Sequence, residues 1–213
     1  MRDPVPFLRL RSPFLWIAGI CGLVELVLIV LAILPWGALP RYWIIELLGF
    51  WPGRLGAWQG WDVRPVTMFG TYWVVHAGIP HFLGNMAILF WLERRLTRHF
   101  RAGAVWEIWW ASVLGGAIAY SVLYPSLAPM VGASGGVFGL VGAFVVLNHR
   151  DAIARGARLA AIKTGLLCLL LTVLSVADYV LRDAILAWQA HLGGFVGGAL
   201  MAAFSRTRAS RRA

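Results

Sequence analysis

Long uncharged apolar runs alternate with short basic clusters along the whole chain. An apolar run of about 18 or more residues is long enough to cross a bilayer as a helix. The first run, Phe14 to Leu34, is broken only by Glu25. Five more follow, at about 79–92, 104–124, 132–147, 159–177 and 184–204. Pro80 suits the first turn of the second run, where a missing N–H costs nothing. The third run has Glu107 near its start, the short fourth opens on a glycine cluster, and the fifth has Lys163 near one end. The pattern predicts an all-α polytopic membrane protein with three parts. These are an N-terminal segment, 1–13, a six-helix membrane domain, 14–205, and a basic tail, 206–213.

The segment from Pro35 to Gly78 is too long and too apolar for a plain loop. It carries Trp36, Tyr42, Trp43, Phe50, Trp51, Trp58, Trp61, Phe69, Tyr72 and Trp73. Aromatic density of this kind suits the headgroup layer. The segment is expected to lie partly in the interface, with short helices of its own and its tryptophans mostly as anchors.

Composition agrees with lipid as the main solvent. The chain is 60% hydrophobic and 13% charged, against about half and a quarter in soluble domains. Its net charge of +10 would suit a nucleic-acid binder, but such a face needs a soluble fold to carry it. The basic residues lie in short clusters between apolar runs, as orienting charges do. The expected partner is therefore the bilayer and not nucleic acid. Cys21 and Cys168 both lie inside apolar runs, so neither a disulfide nor a metal site is expected. The first run is too long for a signal-peptide core and is read as a retained helix.

Charge also sets orientation. With six spans, one side holds the N-terminal segment, the second-to-third loop (Arg94, Arg95, Arg98, Arg101), the fourth-to-fifth loop and the tail. That side carries fifteen of the 19 basic residues, and the other carries Arg41, Arg54, Arg64 and Arg182. The positive-inside rule then places both termini in the cytoplasm, as in a bacterial-type plasma (inner) membrane.

Polar side chains at membrane depth are expensive and are functional candidates by default. Spans two, four and six all begin on the outer side in this topology. His81 lies in the first turn of span two, and Asn85, four residues on, shares its helix face. Ser134 lies in the first turn of span four. His191 falls seven residues into span six, about 10 Å down. Four polar groups thus converge on the outer half of the bilayer. Gly132, Gly135, Gly136, Gly139 and Gly142 line span four, and Gly193, Gly194, Gly197 and Gly198 line span six. Small residues at such spacing let helix backbones approach closely in lipid, so these spans are plausible neighbours.

A serine hydroxyl is a poor nucleophile without a base. A histidine can take its proton and later return it to a leaving amine. Hydrolysis also needs donors for the oxyanion, and His81, Asn85 and the Ser134 N–H are candidates. No carboxylate in the outer half of spans two, four or six offers itself as a third member, so a Ser-His dyad is the economical arrangement. Among the remaining acids, Glu25 is expected to be hydrogen-bonded inside the bundle or kept neutral by burial. Glu93 is expected to form a helix-end ion pair with its neighbours Arg94 and Arg95.

These residues resemble the rhomboid family. Gly132-Ala133-Ser134-Gly135 is similar to its G-x-S-G nucleophile motif, and His81-Phe82-Leu83-Gly84-Asn85 to its H-x-x-x-N motif. Ala190-His191-Leu192-Gly193-Gly194, with Gly198 after it, is similar to its A-H-x-x-G-x-x-x-G. The resemblance covers about His76 to the end of span six. Each motif alone is weak, but the three in this order are specific. The resemblance implies a six-helix rhomboid-like bundle with a water-filled cavity open to the outside. It implies Ser134 as nucleophile, His191 as general base, and His81, Asn85 and the Ser134 N–H as the oxyanion hole. It places Phe138 against the catalytic histidine and gives His76 a structural role. It implies cleavage of transmembrane protein substrates without a metal or organic cofactor.

The first loop departs from the family pattern of an adjacent Trp-Arg pair about eight residues before His76. Here Trp61 and Arg64 are separated, and Arg64 lies twelve residues before His76. Two rival classes stand beside the protease. One is a rhomboid-like protein that binds membrane helices without cutting them. The other is a small transporter or proton channel, against which stand the glycine-flanked Ser134 and the lack of an inverted repeat.

Overall fold

The computed structural model describes residues 12–57, 60–123, 128–155 and 187–207, with the four single positions 162, 165, 166 and 173. Among them the chain is helical, and its only β pairing is an isolated bridge between Phe50 and Met130. Helix α1 spans Pro13–Ile33. Three short helices follow: α2 (Leu39–Leu48), α3 (Gly53–Gly56) and α4 (Arg64–Thr71), which passes into a 3₁₀ turn at Tyr72–Val74. The long helices α5 (Ile79–His99), α6 (Ala102–Leu123) and α7 (Ser134–Arg155) come next, and α8 (Trp188–Phe204) is last among the described residues.

Proline sets several of these boundaries. Pro13, Pro40, Pro65 and Pro80 each sit in the first turn of a helix, where the ring is already helical and its missing N–H is not needed. Pro35 stops α1, because the residue before a proline is pushed out of the helical region. Leu34 accordingly takes φ −80° and ψ 171°.

Among the described residues two helices are long and apolar enough to cross a membrane, α1 and α6, and a third crossing results if 64–74 and α5 form one span bent by 76°. Helix α1 buries the stripe Phe14, Ile17, Cys21, Glu25 and Leu28, while Trp16, Ile20, Leu23, Val27 and Val30 face outward. Apolar side chains on both faces are the signature of a helix in lipid. The fifth expected span, 159–177, and Cys168 lie outside the described residues apart from those four single positions.

Several expectations need correcting. Helix α5 runs to His99, not Leu92, so Arg94, Arg95 and Arg98 ride on its last turns instead of a loop. Cations near a helix C-terminus are favoured by the dipole. Glu93 is not paired with its neighbours: it accepts a hydrogen bond from Ser12 Oγ at 2.6 Å, tying α5 to the start of α1. Side chains adjacent in sequence leave a helix in different directions, so Glu93 does not face Arg94 or Arg95. The aromatic segment does form short helices, but Phe50, Tyr72 and Trp73 belong to the buried core, whereas Trp36, Trp43 and Trp61 are exposed. Arg64 turns back to Asp62, donating through Nη2 at 2.9 Å. These hydrogen bonds hold the Asp62 carboxyl below the usual carboxylate range.

Candidate active site

Helix α8 packs along both α7 and α6, and glycine makes the approach possible. A side chain at Gly194 would run into the Gly135 carbonyl, and one at Gly198 into the Gly139 carbonyl. The two backbones therefore touch directly, the arrangement small residues permit in lipid. Gly116 and Gly135 both face the Tyr72 hydroxyl: an added Cβ would lie 3.0 Å and 2.8 Å from its oxygen. That hydroxyl donates to the Val113 carbonyl of α6 at 2.9 Å.

Ser134 is the first residue of α7. The approach to it, 130–133, is pinned to the segment between α1 and α5. Phe50 and Met130 exchange N–H···O bonds of 2.9 Å each, and the Gly132 N–H donates to the Tyr72 carbonyl at 3.0 Å. The Ala133 N–H donates to His76 Nε2 at 3.3 Å. His76 is fully buried. Gly132 adopts φ +113°, a conformation glycine takes at little cost. The His81 ring covers the space a side chain would need, since a Cβ there would sit 2.6 Å from His81 Cε1.

His191 lies in the first turn of α8, and its Nε2 stands 3.0 Å from Ser134 Oγ. Its ring lies flat on Phe138, one turn further along α7, with centroids 4.2 Å apart and planes 3° apart. The position of His191 along its helix differs from the one expected from the sequence. Helix α8 begins at Trp188, not Ala184, so His191 is about 5 Å, not 10 Å, along it. Ser134 and His191 thus both occupy helix starts.

On α5, His81 and Asn85 are one turn apart. Asn85 is buried, and its Nδ2 donates to the His81 carbonyl at 2.9 Å. His81 Nδ1 accepts from the Ala77 N–H at 3.4 Å. The His81 ring packs edge-on against His76, 5.2 Å between centroids. Among the described residues no hydrogen bond joins Asn85 to Ser134 or His191, and no group of three or more His, Cys, Asp or Glu side chains is placed to hold a metal.

A rhomboid-domain family model matches residues 57–208, a stretch that holds His76, His81, Asn85, Ser134, Phe138 and His191. This chain belongs to the rhomboid family. As a rhomboid with membrane-crossing helices, it is an integral membrane protein. It is 38% identical over 88 residues to Rhomboid-related protein 2 of Mus musculus, covering 40% of this chain and 29% of that protein. It is 32% identical over 137 residues to RHOMBOID-like protein 1 of Arabidopsis thaliana, covering 63% and 33%. It is 30% identical over 132 residues to Rhomboid protease GluP of Bacillus subtilis, covering 61% and 24%. The rhomboid chain therefore spans a quarter to a third of the length of these relatives.

Sequence reasoning missed Arg41. Its Nη1 and Nη2 hold both oxygens of the buried Glu25, at 3.0 and 2.7 Å, and Nη1 also donates to the His76 carbonyl at 2.6 Å. A signal was present: a lone acid inside span one, and an arginine sixteen residues later on the side poor in basic residues. Tyr72 and the Phe50–Met130 bridge were also missed. No local pattern marks a long-range backbone pairing.

Proposed function

We propose that this rhomboid is an intramembrane serine endopeptidase that cuts other membrane proteins in or near their transmembrane segments. The observation that carries this is the 3.0 Å contact between Ser134 Oγ and His191 Nε2, within a chain of the family that includes a named protease. Geometry of this kind lets Nε2 take the Ser134 proton as Oγ attacks a substrate carbonyl carbon. The tetrahedral intermediate collapses as His191 returns the proton to the leaving amine. Water, deprotonated by the same ring, then releases the acyl group from Ser134. In accepting the Ser134 proton at Nε2, the neutral ring carries its own proton on Nδ1.

The oxyanion is assigned to the Ser134 N–H, His81 and Asn85. A helix start offers free N–H groups to a negative charge, and Ser134 occupies one. The Asn85 amide has a second N–H besides the one given to the His81 carbonyl. Gly135, Gly194 and Gly198 keep the α7 and α8 backbones close enough for the serine and histidine to meet, Gly132 leaves room for the His81 ring, Phe138 holds the imidazole plane, and His76 holds the approach to Ser134.

The same proposal carries the topology. Six spans cross a bacterial-type plasma membrane with both termini in the cytoplasm, and the site opens to the outer side. A substrate helix hides its scissile carbonyl in a hydrogen bond, so it must unwind locally. Substrates should thus carry helix-weakening residues at the cut. The chemistry uses side chains and main-chain N–H groups.

A fluorophosphonate reporter on the purified, folded protein tests the nucleophile. Covalent labelling that disappears in Ser134→Ala is expected. Folded wild-type protein that takes no label would favour a rhomboid-like protein that binds membrane helices without cutting them.

A further inference from the structure

The ion pair between Glu25 and Arg41 is far from exposed: the side chains keep 3% and 23% of their accessibility. A buried pair of this kind is a poor source of stability, because desolvation offsets most of the attraction. Its geometry suggests another use. Arg41 lies on α2, outside the stretch matched by the rhomboid-domain model, and Glu25 lies on α1. Arg41 Nη1 divides its hydrogens between Glu25 Oε2 and the carbonyl oxygen of His76. The ring of that same His76 accepts the Ala133 N–H, one residue before Ser134. A continuous chain of hydrogen bonds therefore runs from α1 through Arg41 and His76 to the residue preceding the nucleophile.

We propose that Glu25 and Arg41 are positioning residues that set the Ser134 approach through His76, an inference resting on the protease reading above. Glu25 fixes the guanidinium plane with two bonds, which a lysine at position 41 does not reproduce, because its ammonium is a single point of attachment. The guanidinium fixes the His76 carbonyl and with it the direction of the imidazole. The imidazole then holds the Ala133 amide, and so the peptide plane whose next N–H is that of Ser134. Loss of the clamp leaves Ser134 and His191 in place chemically but lets the approach to Ser134 drift. Displacement of reacting groups by about 1 Å costs on the order of a hundredfold in rate.

Removing one partner alone leaves a buried charge and risks unfolding. The test therefore uses the double variant Glu25→Leu with Arg41→Met, which takes out both charges, beside Arg41→Lys, which keeps the charge. Two readouts are followed in full-length protein in detergent: amide hydrogen exchange of the peptide covering 130–136, and the kcat and KM of cleavage of a single-span membrane protein. The expected result is exchange at least about tenfold faster in the double variant, with kcat lowered roughly ten- to a hundredfold and KM nearly unchanged. Arg41→Lys should fall between the two. Wild-type exchange in the folded double variant overturns the proposal, whether or not the protein cleaves anything. A wild-type chain that neither cleaves nor takes the serine label overturns the protease reading instead, and the exchange result still decides the role of the pair.

Discussion

The imidazole of His191 stacks face to face on the Phe138 ring, 4.2 Å between centroids, while its Nε2 points at Ser134 Oγ. One helix thus supplies both the oxygen that the ring must reach and the surface that keeps the ring flat. Ser134 and Phe138 are four apart and share a face of α7. Phe138→Leu keeps most of the apolar volume but loses the stacking, worth about 1 kcal/mol. Cleavage should fall roughly five- to tenfold, mostly in kcat. Unchanged turnover in this variant would show that the stacking does not orient the base.

Gly132 stands at φ +113° with His81 over its open face. Gly132→Ala puts a methyl group into that ring and strains the backbone at once, a combination costing on the order of 1–3 kcal/mol. The variant should lose serine labelling by more than tenfold at a melting temperature only a few degrees lower. Thermal unfolding measured beside the labelling rate checks this. Normal labelling would mean that the turn before Ser134 adjusts freely.

Gly194 and Gly198 meet carbonyls of α7. Gly198→Val should overpack the α7–α8 contact and destabilise by about 1–3 kcal/mol, lowering the melting temperature of the detergent-solubilised protein. Leu200, exposed on the same helix, provides the control: Leu200→Val should leave it nearly unchanged.

The oxyanion assignment separates Asn85 from a merely structural residue. Loss of one preorganised donor costs about 10²–10³ in kcat. Asn85→Ala should show a loss in that range with KM little altered. Because Asn85 Nδ2 also bonds the His81 carbonyl, Asn85→Asp is the companion variant. It removes the donor and adds an acceptor, so it should be at least as slow. An Asn85→Ala protein that turns over at the wild-type rate would remove this residue from the oxyanion hole.

What could be read from the sequence divides along physical lines. Helices such as α1 and α6 were legible because a long apolar run in lipid has few alternatives. The meeting of α7 and α8 was legible because glycine spacing records a close backbone contact. The start of α8, and with it the position of His191 along the helix, was misjudged, since apolar residues at 184–187 do not reveal where the first helical turn begins. The segment between α1 and α5 was hardest. Its aromatic residues suit an interface and a core equally well, and only tertiary packing separates buried Phe50 and Trp73 from exposed Trp36 and Trp61. Glu25 is hydrogen-bonded inside the bundle as its sequence position suggests, but its partner Arg41 escaped for a related reason: it looked ordinary until the fold closed the distance between them.

The most direct test of the protease account is cleavage in a bilayer. Purified wild-type protein is reconstituted with a panel of single-span membrane proteins, and products are identified by mass spectrometry, with Ser134→Ala and His191→Ala as controls. The account predicts one internal cut within or next to a transmembrane segment, absent in Ser134→Ala and reduced at least about a hundredfold in His191→Ala. Cleavage that persists in folded Ser134→Ala protein at the wild-type rate would contradict it.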